Sequence, residues 1–573
     1  MTSIGGLRVV DYLAEELGRL GVSHVFGVGG ANIEDLYEAV HNTAGAVRPV
    51  VAKHEFSAVT MADGYSRATA GLGVVAATSG GGAMNLVPGL AEAYASRIPV
   101  LALVGQPPSV LDGKGSFQDS SGKAGSLDAR EVFRAVSRFC ARVTEPDSVV
   151  ELLARAVAVA QTDPKGPAVL LLPKDVQEAF VTVPVEAVNR PAPPPPLVAL
   201  PDAAALDRAV RVLDAAGHVL VIAGEGVAAA EARTELAVVV RSLEACVAVT
   251  PDSKDVFDNR DRRFVGVAGV MGHPSVGRCL RQSDVCLLVG TRFPLMARAG
   301  LEAELSGTPV ICVDPEPPYV QGTAVEGSLR QALRALAGRL APRSRDLPGH
   351  EALTELPVPR TAAGTESYAD ALAAVEAELP PDAHVFVDAG NAGASAIHRL
   401  PAPRHGRFVV AVGMGGMGYT FGAGIGAALT TGRRTYVIAG DGAFFMHGME
   451  VHTAVEYAAP VTFVILNNNA HAMCVTREDL FQGGVRGDNL FLPSDIAGGV
   501  AAMFPALDVA RAESAAQLRQ ALRRSNCGAG PAFVAMDFDP REIPPFLPFL
   551  AAPGQEPPAF EEDSHEHRPV HVG

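Results

Sequence analysis

The chain has no tryptophan, few cysteines for its 573 residues and no long hydrophobic run. The seven cysteines (140, 246, 279, 286, 312, 474 and 527) are scattered and form no Cys-x-x-Cys pair. That argues against a disulfide framework or a zinc ribbon and predicts reduced thiols in a cytoplasmic protein. No apolar stretch approaches the ~20 residues needed to span a bilayer. The opening Met1-Thr2-Ser3-Ile4-Gly5 is not a basic-then-apolar leader. Basic residues are also in short supply. Against 63 Asp and Glu stand 47 Lys and Arg, a formal net charge of −16 that disfavours a nucleic-acid backbone as partner. What is present, 48% hydrophobic and 19% charged residues, is a globular balance and not a disordered one.

This length suits roughly three to four domains. Two proline-rich connectors divide it: Pro191-Ala192-Pro193-Pro194-Pro195-Pro196, and the stretch from Arg343 to Arg360. They predict blocks at 1–182, 200–342 and 362–548, with a flexible polar tail at 549–573. Each block alternates short apolar runs, such as Ala168–Leu172, Val219–Ala223 and Val461–Leu466, with segments of helical period. The fold class predicted is therefore α/β, three doubly wound parallel-sheet domains with helices on both faces of each sheet.

The densest chemistry lies between Gly440 and Asn468. The strand Tyr436-Val437-Ile438-Ala439 feeds Gly440-Asp441-Gly442-Ala443. A helix follows, and a second strand ends in Asn467-Asn468, which puts Asn468 27 positions after Asp441. Two adjacent parallel strands bring both residues to one carboxyl edge. A carboxylate, an amide oxygen and a backbone carbonyl suit Mg²⁺ or Ca²⁺, hard cations that leave coordination positions for a diphosphate. The glycines admit the phosphates and the helix N-terminus favours their charge.

This segment resembles the diphosphate motif of thiamine-diphosphate (ThDP) enzymes. Other segments extend the likeness: Lys53-His54-Glu55-Phe56, Ala62-Asp63-Gly64-Tyr65-Ser66-Arg67, Thr78-Ser79-Gly80-Gly81-Gly82-Ala83-Met84-Asn85, Ser116-Phe117-Gln118 and Leu172-Pro173-Lys174-Asp175. In this order they are similar to the pyrimidine-binding domain of the acetohydroxyacid (acetolactate) synthase group. The likeness covers roughly residues 7–545 and implies three Rossmann-like domains: pyrimidine-binding, central and diphosphate-binding. It makes Glu55 the carboxylate that hydrogen-bonds the cofactor's pyrimidine and promotes its activation, a role for which burial would raise the pKa. It makes Met417, in Gly413-Met414-Gly415-Gly416-Met417-Gly418-Tyr419, the residue beneath the cofactor's bend, one position nearer Asp441 than is usual. Metal ligands would be Asp441, Asn468 and the carbonyl of Ala470. Diphosphate contacts would come from Gly440, Gly442, Ala443, Phe444, His471, Ala472 and Met473. A second loop, Asp388-Ala389-Gly390-Asn391, contributes Gly390 and Asn391; relatives often carry histidine where Ala392 stands. Gln118 matches a glutamine facing the reacting carbonyl.

Asn32 departs from the pattern, since the synthases have an apolar residue there and benzaldehyde lyase a histidine. It is read either as a donor to a developing alkoxide or as a turn residue. Asp539-Pro540-Arg541-Glu542-Ile543 is also similar to benzaldehyde lyase. The tryptophan that helps synthases select a larger keto acid is replaced by Arg477, read either as a partner for an anionic substrate or as a solvated side chain. FAD, which some relatives bind in the central domain, is left open: Gly224-Glu225-Gly226, Gly290-Thr291-Arg292-Phe293 and Asp314 favour it, and the missing Asp-Asp-Arg after Phe293 does not. The resemblance implies a homodimer or homotetramer with sites shared between subunits. The function implied is a ThDP- and Mg²⁺-dependent carboligase. It would decarboxylate a 2-keto acid, pyruvate first, and transfer the acyl carbanion to a second carbonyl. A non-coupling decarboxylase or lyase, and a silent regulatory paralogue, are the alternatives.

Overall fold

A computed structural model describes residues 6–182, 200–341, 353–359 and 366–550. The Pro191–Pro196 connector, most of the second connector and the tail from 551 fall outside the described residues. The first sheet is built from β1 (His24–Val28), β2 (Arg48–Val51), β3 (Gly73–Ala77), β4 (Val100–Gln106), β5 (Phe139–Arg142) and β6 (Ala168–Pro173). The central sheet holds β7 (Val219–Ala223), β8 (Cys246–Val249), β9 (Phe264–Val267), β10 (Val285–Val289), β11 (Val310–Val313) and β12 (Thr323–Val325). The third holds β13 (His384–Val387), β14 (Phe408–Val410), β15 (Thr435–Gly440), β16 (Val461–Asn467), β17 (Asp508–Ala512) and β18 (Ala532–Asp537). All pairings are parallel, so the expected fold class of three parallel α/β sheets is borne out.

Sheet order separates the domains into two kinds. The first runs β2-β1-β3-β4-β6-β5 and the third β14-β13-β15-β16-β18-β17, the same order counted from each domain's own start. The central sheet runs β9-β8-β7-β10-β11-β12, the order of dinucleotide-binding sheets. In every case the middle strands are largely apolar and fully buried, as in β3, β4, β7, β10 and β16, because helices cover both faces. Among the described residues no helix is long and apolar enough to cross a membrane.

Two contacts fix the domains against one another. The helix Glu55–Thr69 of the first domain crosses the helix Tyr419–Thr431 of the third at very short range. A Cβ on Gly64 would stand 2.1 Å from the carbonyl oxygen of Ala423, and one on Gly426 2.1 Å from that of Met61. Only glycine allows backbones this close. The second contact is a buried ionic junction of all three domains. Arg407 donates to both carboxylate oxygens of Glu225 at 2.7 and 2.9 Å, to Asp255 at 2.6 Å, and to the backbone carbonyl of Arg67. Arg67 in turn donates to Asp63 at 2.7 Å, and Asp63 also accepts the Tyr419 hydroxyl. Breaking one partner of such a buried pair costs about 3–5 kcal/mol.

The helix crossing generates a test. Gly426→Ala is expected to destabilise the protein by ~1–3 kcal/mol through overpacking. Thermal melting reads this directly, and an unchanged melting temperature would contradict the close approach.

Candidate active site

The likeness of the first and third sheets puts their loops in matching places. In each, the strand order reverses between the first and third strands, and ligands of doubly wound sheets sit at that reversal. In the third domain the reversal lies between β13 and β15. There β13 ends in Asp388-Ala389-Gly390-Asn391 and β15 in Gly440-Asp441-Gly442. Gly390 adopts φ +96, a conformation open to glycine, and starts the helix Asn391–Arg399.

Asp441 begins its helix and is 1% exposed. Its carboxylate accepts the backbone N–H of Asn468 at 3.2 Å and of Ala470 at 3.1 Å. Burial raises its pKa above the usual carboxylate range, and these N–H groups oppose the shift. Asn468 donates its Nδ2 to the Tyr368 hydroxyl at 2.8 Å, which turns Oδ1 toward Ala470. The Asp441 carboxylate and the Asn468 amide oxygen thus meet at the Ala470 N–H, the residue whose carbonyl is the third expected ligand. Among the described residues no cluster of three His, Cys, Asp or Glu side chains forms, so a cation here relies on this mixed oxygen set. Such a donor set fits Mg²⁺.

Met417 meets the same turn. Its terminal methyl lies 2.9 Å from where a Cβ on Gly442 would stand, and the His471 ring lies equally close on another side. Asp388, 2% exposed, holds the segment carrying Met417 by accepting Gly418 N–H at 3.0 Å, Thr420 N–H at 3.2 Å and the Thr420 hydroxyl at 2.7 Å.

In the first domain Glu55 is the first residue of its helix and 9% exposed. Its carboxylate accepts Asn85 Nδ2 at 2.8 Å. Gly82 provides the room, since a Cβ there would stand 2.9 Å from Glu55 Oε1. Beside it runs a chain of amides. Asn32 Nδ2 donates to Ser79 Oγ at 2.7 Å, and Ser79 Oγ donates to Gln118 Oε1 at 3.0 Å. That direction commits the oxygen of Gln118 and leaves its NH₂ as the outward donor. Gln118 sits at φ +62, a left-handed conformation costing about 1–2 kcal/mol in a residue with a Cβ. The two halves touch where the Phe56 ring lies 3.6 Å from the position of a Cβ on Gly416 and 4.5 Å between centroids from the His447 ring. Burial lowers the pKa of His447 to about 4, which keeps it neutral there.

Several sequence expectations change in detail. The backbone N–H of His471 donates to Asn489 at 2.9 Å and is not open to a diphosphate here; Ala472 and Met473 lie in the first turn of the next helix. The side chain of Asn391 donates to the Glu542 carbonyl at 2.9 Å and its buried Oδ1 is an acceptor, so only its backbone at the helix start suits a phosphate. Asn32 is engaged by Ser79 through its side chain and by Thr78, which takes its backbone N–H at 3.3 Å, contacts that fit the turn reading. Arg477 is exposed and lies against Cys474. Asp314 is 1% exposed; its Oδ1 accepts Arg97 at 2.7 Å and its Oδ2 has no hydrogen-bond partner. Residues not singled out from the sequence include Ser79, Asn85, Asp388 and Tyr368 as supporting groups. Glu542 joins them: it accepts Tyr368 N–H at 3.0 Å and is pushed up to about 7 by burial. All but Tyr368 lie inside the motifs named above, but their partners come from distant segments.

Comparison with known proteins finds three family models in chain order. The N-terminal TPP binding domain of thiamine pyrophosphate enzymes matches residues 7–125, the central domain 206–336, and the C-terminal TPP binding domain 388–536. The acetolactate synthase large subunit of Haemophilus influenzae is 28% identical over 507 residues, covering 84% of this chain and 85% of that protein. The acetolactate synthase isozyme 3 large subunit of Escherichia coli is 28% identical over 488 residues, covering 81% and 83%. A solved structure from Mycobacterium smegmatis, described as a thiamin diphosphate-dependent enzyme, superposes with a TM-score of 0.77 at 21% identity. It covers 93% of this chain and 99% of that one, which shows a shared fold.

The oxygen set at Asp441 predicts a ligand effect on stability. Thiamine diphosphate with Mg²⁺ at about 100 times its Kd is expected to stabilise the protein by ~2.7 kcal/mol. Asp441→Ala is expected to abolish that shift in thermal melting. A full shift in the variant would remove Asp441 from the ligand set.

Proposed function

Because the chain belongs to the thiamine pyrophosphate enzymes and is an enzyme of the acetolactate synthase type, we propose that it decarboxylates a 2-oxo acid, pyruvate first, with ThDP and Mg²⁺. The acyl group then passes to a second carbonyl to give an acetolactate- or acetoin-type hydroxyketone. When bound, ThDP supplies a thiazolium carbon that adds to the keto group and holds the electron pair left as the bond to CO₂ breaks. Mg²⁺ would be held by Asp441, Asn468 and the Ala470 carbonyl. The diphosphate would meet the helix starts at Asn391, Gly442 and Ala472, with Met417 beneath the cofactor. Glu55, oriented by Asn85, would hold the proton that activates the cofactor. Gln118, with its oxygen tied to Ser79, would offer N–H donors to the anionic oxygens of the 2-oxo acid and of the new alkoxide.

The observation that carries this reading is the occurrence in one chain of two sheets of one topology, which the family resemblance pairs across two subunits. One presents the buried Glu55 and the other the oxygen set Asp441–Asn468–Ala470. FAD stays open in the central domain, and no step is assigned to it. None of the seven cysteines forms a disulfide, which supports a reducing compartment such as the cytoplasm.

Large apolar side chains stand open around the site: Phe117 is 83% exposed, Met414 60% and Phe445 53%. Their exposure supports a homodimer or homotetramer in which a second copy covers this edge. Sedimentation at working concentration is expected to give a dimer or larger; a fully active monomer would contradict it.

Glu55→Gln keeps shape and a hydrogen-bond acceptor but cannot share a proton. It is expected to lower CO₂ release from pyruvate by ~10²–10⁴-fold while ThDP still binds. Full activity in this variant would refute the mechanism.

A further inference from the structure

Building on that function, we propose that Glu92 is a positioning residue. Its carboxylate reaches from the first domain and fixes the strap Gly413–Gly415 that carries Met417 to the cofactor face. Glu92 is 3% exposed. Its Oε1 accepts Gly413 N–H at 3.1 Å and the Ser96 hydroxyl at 2.7 Å. Its Oε2 accepts Met414 N–H at 2.5 Å and Gly415 N–H at 3.3 Å. Three successive N–H groups turned to one anion form a nest, and bonds to a charged acceptor are stronger than neutral ones. Arg67 lies 3.8 Å away and balances the charge.

The strap needs such a hold. It carries glycine at 413, 415, 416 and 418, which frees its backbone, and Met414 to Gly416 face solvent. Asp388 pins its far end through Gly418 and Thr420. Glu92 pins the near end, and Met417 lies between the two. No carboxylate from the third domain reaches Gly413–Gly415 among the described hydrogen bonds, so this anchor comes across the domain boundary.

The shared topology supplies a counterpart. Glu92 lies on the helix after β3 and Glu450 lies after β15, each the third strand of its sheet. Glu450 is 1% exposed and accepts Lys53 N–H at 2.8 Å, His54 N–H at 3.0 Å and the Thr453 hydroxyl at 2.8 Å. It pins the two residues that lead into Glu55. Each half of the site is therefore held by a carboxylate from the other half.

The test uses the full chain and two readouts. One is hydrogen–deuterium exchange at amides 413–415 without ligand; the other is the calorimetric affinity for ThDP with Mg²⁺. Glu92→Ala is expected to exchange rapidly at 413–415, keep its β15 amides protected, and bind ThDP about 10–100-fold more weakly. Glu92→Gln, which retains a neutral acceptor, is expected to fall between wild type and Glu92→Ala on both readouts. Protected amides at 413–415 together with unchanged affinity in either folded variant would overturn the proposal. Should Glu92→Ala fail to fold, Glu92→Gln decides by the same criteria. Wild-type protein that bound no ThDP would overturn the proposed function instead, and the exchange arm would still decide the role of Glu92.

Discussion

The crossing of the Glu55 and Tyr419 helices is the contact on which the rest of the structure depends, because it locks the first and third sheets of one chain together. Each helix begins at a functional segment: one at Glu55, the other just after Met417. Their glycines let the backbones interlock, as where a Cβ on Gly422 would stand 2.4 Å from the Ser57 carbonyl oxygen. Widening this crossing by one methyl group would move the start of both helices, and with them Glu55 and Met417. The packing term and the chemical term are therefore one constraint.

Charge works on the same boundary. Arg407, Arg67, Glu225, Asp255, Asp63 and Glu92 meet at the junction of three domains, all of them nearly or wholly buried. Burial raises the pKa of Asp63, and the neighbouring guanidinium of Arg67 opposes the shift. Buried ion pairs of this kind add little net stability over apolar packing but penalise every arrangement that separates the partners. Here that penalty sets the domain angle. The same carboxylates then reach the backbone of the functional loops, as Glu92 does at Gly413 and Glu450 at His54.

Much of this could be read from the chain. The buried strands, from β3 to β16, are short apolar runs and announce themselves by composition. Edge strands do not: β2 begins with Arg48, β5 is half-buried throughout, and β17 begins with Asp508. A strand with one neighbour needs no continuous apolar run, so its sequence resembles a loop. At the site, Asp441 and Asn468 could be picked out because their spacing follows the strand–turn–helix repeat, and Glu55 and Met417 because the segments around them resemble the family's. The orientation of amides could not. That Ser79 turns Gln118, that Tyr368 turns Asn468, and that Asn489 takes the His471 N–H are long-range hydrogen bonds with no local signature. Asp314 shows the same limit: its place after β11 suits a ribose, but its bond to Arg97 comes from another domain and has no local signature.

The central claim is that this site makes carbon–carbon bonds from a 2-oxo acid. The most direct measurement is a ¹³C-NMR time course of the full-length protein with ThDP, Mg²⁺ and ¹³C-labelled pyruvate, with and without an added aldehyde. The account predicts labelled CO₂ or bicarbonate together with acetolactate, acetoin or a mixed hydroxyketone. Pyruvate that stayed untouched under conditions where ThDP is bound would contradict the proposed donor, and labelled acetaldehyde without any coupled product would contradict the carboligase.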